Sequence, residues 1–341
     1  MQKRLIQGLS GLAILGSIAV LFISIGGYFP QYGWWLNWYS HPRPHFFVAS
    51  LIATGWFVWQ RQWWLSALPI IAVIINGAVL TPFFIPTSLW ANHGADRLTI
   101  AHLNTNQGKA DMSMLNEVSA DIIFLQEFTP QMEEEIDVSF PEYELVISHP
   151  LTTTIGVGML LHHDSPFETD LHRVNHMPWY NYRPLVTARL ELDGERVQIM
   201  SIHASRPHHD HADAFQKLEM DAAAGWGREQ QAYGYEVIMI GDINMTPWSL
   251  RYKEFLEMSQ TEDSMLGYGI QNSWTAVVPM WMGLPVDHAA ISDGLQVIDR
   301  QTIPVEGSDH GILVLTVGRR VDSVTYLKGQ TAKQSSMQLS R

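Results

Sequence analysis

The sequence predicts an α/β domain preceded by an N-terminal membrane anchor, and two observations support this. Residues 1–94 contain no Asp or Glu and only four basic residues, whereas the remainder carries all 34 acidic and 17 basic residues, a formal charge of −17. From Arg97 onward, short β-branched runs alternate with polar or helical stretches, a pattern typical of α/β domains. The chain therefore divides near Gly94 into two regions with different physical character.

The sequence of the first region, residues 1–94, predicts a membrane anchor of three helices, with spans at about 5–29, 45–62 and 64–86. The first apolar run follows Lys3 and Arg4 and is long enough for a span of ~20 residues. The other two are separated by Gln60-Arg61-Gln62, which indicates a helical hairpin with a polar turn. A secretory signal peptide is the alternative for the first run, and a buried helical core is the alternative for the whole region.

The few cations predict an orientation. Lys3, Arg4 and Arg61 fall on one side of the predicted anchor and Arg43 on the other, which by the positive-inside rule places the N-terminus in the cytoplasm. Three spans then put the chain after Trp90 on the opposite side. We expect an integral protein of the bacterial inner membrane whose second domain is periplasmic or otherwise extracytoplasmic.

The second region, residues 95–318, predicts an alternating series of strands and helices. Predicted strands cover 98–104, 121–127, 154–161, 185–192, 197–203, 236–244 and 311–317. Predicted helices lie at 112–119, 211–229 and 249–258, and Asp193-Gly194 is a hairpin signal. Residues 319–341 are polar with little periodicity, so we expect a flexible tail.

Polar side chains follow these strands where the strands end. The residues concerned are Asn104, Asn106, Glu127, His203, Asp242 and Asn244, with Asp309 and His310 before the last strand. Each alone has an ordinary structural explanation, since Asn forms turns and a single His is more often a satisfied core residue. Their recurrence at five strand ends predicts one site. The chain has no Cys, so a metal would need O and N ligands, and this set suits Mg²⁺ or Mn²⁺.

The motifs that contain these residues resemble the endonuclease/exonuclease/phosphatase superfamily, which includes deoxyribonucleases, abasic-site endonucleases, inositol-polyphosphate 5-phosphatases and neutral sphingomyelinases. The motifs are LNTNQGK (103–109), IIFLQEF (122–128), MSIHASRP (200–207), MIGDINMTPWS (239–249), LPVDHAAIS (284–292) and GSDHGILV (307–314). The resemblance covers 97–317. It implies a four-layer sandwich of two mostly antiparallel sheets flanked by helices, and metal-dependent hydrolysis of a phosphoester by an activated water.

The resemblance also implies a role for each matching residue. Metal ligands would be Glu127, Asn104, Asn106 and Asp309. Catalytic residues would be Asp242, His310, His203, Asn244 and Asp287, with Asp242 activating water and Asp287 pairing with His310. Contacts to the substrate phosphate would come from Arg183, Asn244 and His310.

Three features depart from the family pattern. Leu103 stands where many relatives have Trp, and His288 stands where several nucleases have Tyr. The run His208-His209-Asp210-His211 is unusual, and the sequence leaves open an accessory metal site or a solvated loop.

The substrate class stays open at this stage. The charge of −17 disfavours a nuclease, because duplex binding depends on Lys and Arg at the phosphates. We expect a lipid bilayer as partner of the anchor, and a phosphorylated small molecule, lipid headgroup or nucleic acid as substrate. A nuclease is the first alternative, and a membrane-anchored binding module without catalytic activity is the second.

Overall fold

The computed structural model describes residues 2–39, 41–86, 92–169, 171–176 and 183–321. The described helices are α1 (Gln2–Gly26), α2 (Trp34–Tyr39), α3 (Arg43–Trp59), α4 (Ala67–Leu80), α5 (Pro130–Ser139), α6 (Asp210–Ala232) and α7 (Leu250–Ser259). The described strands are β1 (Asn92–His93), β2 (Leu98–Asn104), β3 (Ile122–Gln126), β4 (Tyr143–His149), β5 (Val157–His162), β6 (Leu171–His176), β7 (Pro184–Leu192), β8 (Glu195–Ser201), β9 (Glu236–Asp242), β10 (Thr261–Asp263), β11 (Asp287–Ser292), β12 (Leu295–Pro304) and β13 (Gly311–Val321).

The strands form two sheets that pack face to face, as expected for the four-layer sandwich predicted from the sequence. A seven-stranded sheet has the order β1-β13-β2-β3-β5-β4, with β12 paired to β13, and a six-stranded sheet has the order β10-β11-β9-β8-β7-β6. Among these pairs, β2–β3 and β8–β9 are parallel and the others are antiparallel. Ile100 and Phe124 of the first sheet and Ile199 and Ile238 of the second lie in the shared core, with no exposed side-chain surface.

Helices cover the outer face of each sheet. A second core joins the first sheet to α5 through residues such as Leu125, Phe128 and Ile136. A third joins the second sheet to α6 and α7 through Met239, Met220 and Phe255. The layers therefore run helix, sheet, sheet, helix, which confirms the predicted fold class.

Individual elements differ from the sequence prediction mainly where the apolar signal is weak. Strands β1, β4, β6, β10, β11 and β12 and helices α2 and α5 were not predicted, and the segment 112–119 forms a 3₁₀ helix over Met112–Glu117. Strand β4 alternates buried and exposed residues only loosely and contains a bulge between Leu145 and Ile147. Strand β13 extends to Val321, three residues into the predicted tail, and residues 322–341 lie outside the described part of the chain.

Among the described residues of the N-terminal region, two helices are long and apolar enough to cross a membrane, Ile6–Gly26 and Ala67–Phe84. Helix α3 has 17 residues and is not one of them, so the predicted count of three spans is not confirmed. At ~1.5 Å per residue, α3 is about 26 Å long, shorter than a hydrocarbon core of ~30 Å. A core helix or an N-terminal signal sequence would satisfy the same criterion, so the membrane anchor stays a prediction.

The helical region packs directly on the sandwich. Trp248 Nε1 donates a hydrogen bond of 2.8 Å to the His41 carbonyl, and its ring meets the edge of Phe83 at a centroid distance of 6.0 Å. His41 Nδ1 lies 2.7 Å from Thr246 Oγ1. Thr246 and Trp248 belong to the loop after β9, so the helices contact the same loop that follows Asp242.

Candidate active site

The strand register brings the polar strand ends together at one edge of the sandwich. In the parallel pair β2–β3, Asn104 lies opposite Gln126, and in the antiparallel pair β9–β11, Asp242 lies opposite Asp287. Gln126 joins the two sheets, since its Nε2 donates to the Ile202 carbonyl at 2.7 Å and its Oε1 accepts from the Asp242 amide at 3.2 Å. Residues that are 138 positions apart in the chain, Asn104 and Asp242, therefore meet.

Asp287 lies fully buried between two histidines. Its Oδ2 is 2.9 Å from His310 Nδ1 and its Oδ1 is 3.0 Å from His102 Nε2. Burial alone would raise the pKa of Asp287, but His310 and the two hydrogen bonds hold the pKa well below its usual range. Burial likewise opposes the charge on His310, but Asp287 and Asp242 outweigh it and raise the pKa of His310 to about 10. His310 is therefore an imidazolium at neutral pH.

Asp242 lies at the centre of the group. Its Oδ2 accepts from Asn104 Nδ2 at 3.2 Å and is 3.5 Å from His203 Nε2 and 3.7 Å from His310 Nε2. Burial raises the pKa of Asp242 to about 7, against the opposing effect of His310. A carboxylate with a pKa near neutrality has the basicity that a general base needs at physiological pH.

Glu127 follows β3 in a left-handed backbone conformation, with φ of 56°. This conformation costs a residue other than Gly roughly 1–2 kcal/mol, so the surrounding contacts must hold it. Thr105 Oγ1 donates to the Glu127 carbonyl at 2.9 Å, and Asn104 Nδ2 donates to Glu127 Oε1 at 3.2 Å. Burial is the main cause that raises the pKa of Glu127, and the nearby Asp309 raises it further.

The oxygen ligands fit a hard divalent cation. Glu127 is half-buried and Asp242 is buried, and both accept a hydrogen bond from the same donor, Asn104 Nδ2, at 3.2 Å each. The Asn104 amide orientation is set by its Oδ1, which accepts from the Asn106 backbone N–H at 3.0 Å. Neighbouring carboxylate oxygens are the donors that Mg²⁺ or Mn²⁺ prefers.

The other predicted ligands contribute differently. The side-chain oxygen of Asn106 accepts from Lys109 Nζ at 3.3 Å, so Asn106 joins the group through its backbone. Asp309 Oδ2 accepts from Trp274 Nε1 at 3.0 Å. Among the described residues, Asp242, Asp287 and His310 also have ligand atoms within 4.8 Å of one another. We favour the Glu127 side for a metal, because a charged His310 has no free lone pair to offer.

The phosphate-binding candidates border the same cluster. Arg183 Nη1 donates to the His203 carbonyl at 3.4 Å, and Arg183 Nε lies 3.6 Å from the buried carboxylate of Glu219. Asn244, with φ of 54°, donates through Nδ2 to the Ala204 carbonyl at 3.0 Å. Burial, followed by the charge of Arg183, holds the pKa of His203 well below its usual range, so His203 is neutral.

Four residues at the site were missed by sequence reasoning: His102, Gln126, Trp274 and Glu219. His102 and Gln126 lie inside predicted strands and have no exposed surface, so a polar residue in an apolar strand was the available signal. Glu219 accepts from the Ser205 amide at 2.6 Å and lies on α6, where helical periodicity does not distinguish it from surface carboxylates. Trp274 is in a loop, where no periodic signal exists.

The unusual residues noted in the sequence have structural partners. His209 caps α6 by accepting from the Ala212 amide at 3.1 Å, while His208 and His211 are exposed. His288 is buried beside the Tyr252 ring at 4.6 Å, and its Nε2 lies 2.7 Å from the Met245 carbonyl. His288 therefore supports the loop after β9, and the 208–211 run begins a helix.

Solved structures of low sequence identity share this fold. A C. elegans TDP2 has 16% identity and a TM-score of 0.53, with 67% of this chain and 100% of that chain covered. A D. rerio TDP2 humanized by 14 mutations has 15% identity and a TM-score of 0.52, covering 65% and 99%. The 3′ phosphatase NExo from Neisseria, bound to product DNA hairpin, has 14% identity and a TM-score of 0.52, covering 64% and 98%.

No curated protein matches the sequence. The model of the Endonuclease/Exonuclease/phosphatase family matches residues 100–310, which run from within β2 to the residue before β13 and contain every residue of the cluster described above. The chain therefore belongs to the Endonuclease/Exonuclease/phosphatase family.

Proposed function

We propose that the domain at 95–318 hydrolyses a phosphoester, as a phosphodiesterase or phosphomonoesterase, by attack of an activated water. The observation that carries the proposal is the buried chain Asp287–His310–Asp242, in which a charged histidine lies between two carboxylates. Hydrolysis of a phosphoester requires an oriented water, positive charge at the phosphoryl oxygens and a proton for the leaving oxygen. The cluster offers a group for the first two of these requirements.

Asp242 is the proposed base. Its raised pKa, about 7, lets it accept a proton from a water near neutral pH, and the Asn244 amide donates to its Oδ1 at 2.9 Å to hold the carboxylate in place. His310, kept charged by Asp287, presents Nε2–H toward the same space. It can bind a phosphoryl oxygen there and stabilise the charge that develops during attack.

Glu127 and Asn104 would hold a Mg²⁺ or Mn²⁺ ion, with Asp309 beside them. When bound, the ion supplies Lewis-acid stabilisation of phosphoryl charge. Arg183 and neutral His203 complete the proposed phosphate site. Glu219 orients Arg183 through their ion pair at 3.6 Å, which limits the motion of the guanidinium.

We also propose that the helices anchor this domain to a bilayer, on the extracytoplasmic side. Helices α1 and α3 are antiparallel, since Arg43 Nη2 donates to the Ser24 carbonyl and Trp56 Nε1 donates to Ser10 Oγ. The start of α1 and the Arg61 turn therefore lie at the end away from the sandwich. Basic residues gathered at that end favour its cytoplasmic location.

The acidic character of the domain favours a small phosphorylated molecule or a lipid headgroup over nucleic acid as substrate. Full-length protein in detergent would be incubated with Mg²⁺ or Mn²⁺ and bis-p-nitrophenyl phosphate, p-nitrophenyl phosphate, phospholipid, DNA or RNA. We expect metal-dependent hydrolysis of at least one phosphoester, lost in Asp242→Ala and His310→Ala and kept in Asp293→Asn, an exposed control. Folded protein inactive on every substrate would support the non-catalytic binding module instead.

The orientation has a separate test. An alkaline phosphatase fusion after Trp90 should be active when expressed in bacteria, because that enzyme folds only outside the cytoplasm. A stable but inactive fusion would reverse the proposed topology.

A further inference from the structure

One loop at the rim of the candidate site exposes apolar side chains to an unusual degree. In residues 276–282, here called the apolar loop, Val277 is 94% exposed and Trp281 is 76% exposed, and Val278 and Met282 are also exposed. No charged residue occurs between Asp263 and Asp287. A contiguous exposed apolar patch of this kind marks an interaction surface rather than ordinary solvent-facing loop.

The apolar loop is held firmly at its base. Trp274 and Leu284 exchange backbone hydrogen bonds of 2.9 and 2.8 Å, and the Thr275 amide donates to the Asp309 carbonyl at 2.9 Å. The Asn272 side chain donates to the Trp281 carbonyl at 3.0 Å. The exposed side chains therefore extend from a loop whose base is fixed by hydrogen bonds. One of these bonds links the loop to Asp309 at the candidate site.

The same loop lies beside the end of the helical region. His45, in the first turn of α3, approaches the Met282 carbonyl at 2.9 Å through Nε2. Other α3 residues, such as Val48 and Ile52, are exposed apolar side chains on the helix surface. The apolar surface of the helices thus continues into the apolar loop.

A cation with aromatic neighbours lies next to this surface. The Arg206 guanidinium is 5.1 Å from the Trp274 ring centroid and 5.9 Å from that of Trp38 in α2. Tryptophan and arginine together are the side chains that favour the headgroup level of a bilayer, the indole for its amphipathic ring and the guanidinium for lipid phosphates. Arg206 follows His203 by three residues, so this level coincides with the rim of the site.

We infer that the apolar loop inserts into the bilayer interface, as a second membrane contact that holds the rim of the site against the lipid headgroups. The inference rests on the proposed anchoring of the helices, because their apolar surface defines the membrane level. The occupant is lipid, since the surface is uncharged, is continuous with the helices and ends in a Trp–Arg group.

The absence of Cys allows a direct test with single labels. Full-length Val277→Cys, Val138→Cys and Leu12→Cys would each carry an NBD fluorophore in vesicles of phosphatidylethanolamine and phosphatidylglycerol, with or without doxyl-labelled lipid. Val138, 86% exposed on α5, is the matched control, and Leu12, 67% exposed on α1, reports the anchor. We expect blue-shifted emission and strong quenching at 277 and 12, and neither at 138.

Each alternative result overturns a specific proposal, either the anchor or the insertion of the apolar loop. Quenching at 12 with none at 277 overturns the loop inference and leaves the anchor intact. No quenching at 12 overturns the anchor, and the loop inference with it. A blue shift at 277 without lipid quenching means that protein, such as a second copy, covers the loop, and this also overturns the inference.

Discussion

Replacing Asp287 with Asn tests the electrostatic core of the proposed mechanism. The pKa of His310 moves from 6.5 to about 10 in the folded protein, which corresponds to about 5 kcal/mol in favour of the imidazolium. Asp287 is the largest favourable cause of that shift, at 2.9 Å from His310 Nδ1. Asn keeps the shape and can still accept a hydrogen bond, but it removes the charge. Burial then dominates, and we expect the pKa of His310 to fall substantially.

The effect on stability has a defined pH window. The pKa of His310 is raised on folding, so its contribution is present below about pH 6.5 and is lost as the pH rises through about 10. Asp287 has a lowered pKa, so its contribution is present at neutral pH and is lost only in acid. We expect Asp287→Asn to lower the free energy of unfolding by about 3 kcal/mol at pH 7, with the difference shrinking as the pH rises from about 6.5 to about 10.

Activity should fall with the charge on His310. Loss of one charge-stabilising donor costs ~10²–10³-fold in kcat, so a decrease of this size is expected for Asp287→Asn at pH 7. Denaturant unfolding and hydrolysis of bis-p-nitrophenyl phosphate would be measured for full-length protein in detergent, with Asp293→Asn as the exposed control. A near-normal kcat, or a stability difference that is constant from pH 7 to above pH 10, would refute the reasoning.

Three further predictions concern the same cluster. Glu127→Gln should raise the Mg²⁺ concentration for half-maximal activity by ~10-fold or more, and unchanged metal titration curves would remove Glu127 from the metal site. The rate should fall as the pH drops below about 7, because Asp242 protonates. The pH at which the rate falls should move lower at higher Mg²⁺, because a nearby cation favours the charged carboxylate. An acid side of the pH profile that is insensitive to Mg²⁺ would argue against a metal near Asp242. His102→Ala leaves a carboxylate oxygen of Asp287 without its partner at 3.0 Å. We therefore expect the free energy of unfolding, measured by denaturant unfolding, to fall by about 1–3 kcal/mol. A wild-type value would contradict the importance of this contact.

The sequence by itself determined the family, the sandwich and the order of the polar strand ends, because apolar periodicity and short motifs are local properties. The family resemblance predicted that the strand ends at Asn104, Glu127 and Asp242 lie close together, because the family's fold places them at the same edge of the sandwich. The weak strands β4, β6 and β12 could not be predicted, because their alternation depends on which face the neighbouring layer buries.

Only the tertiary structure decided which groups interact. His102 and Gln126 look like core residues in the sequence, but the packing of the two sheets places His102 against Asp287 and lets Gln126 bridge to the strand of Asp242. The charge on His310 and the raised pKa of Asp242 arise from burial and from neighbours far away in the chain, so neither is a local property. The packing of the N-terminal helices on the loop after β9 is equally non-local, because it depends on Trp248 and Phe83 meeting across the fold.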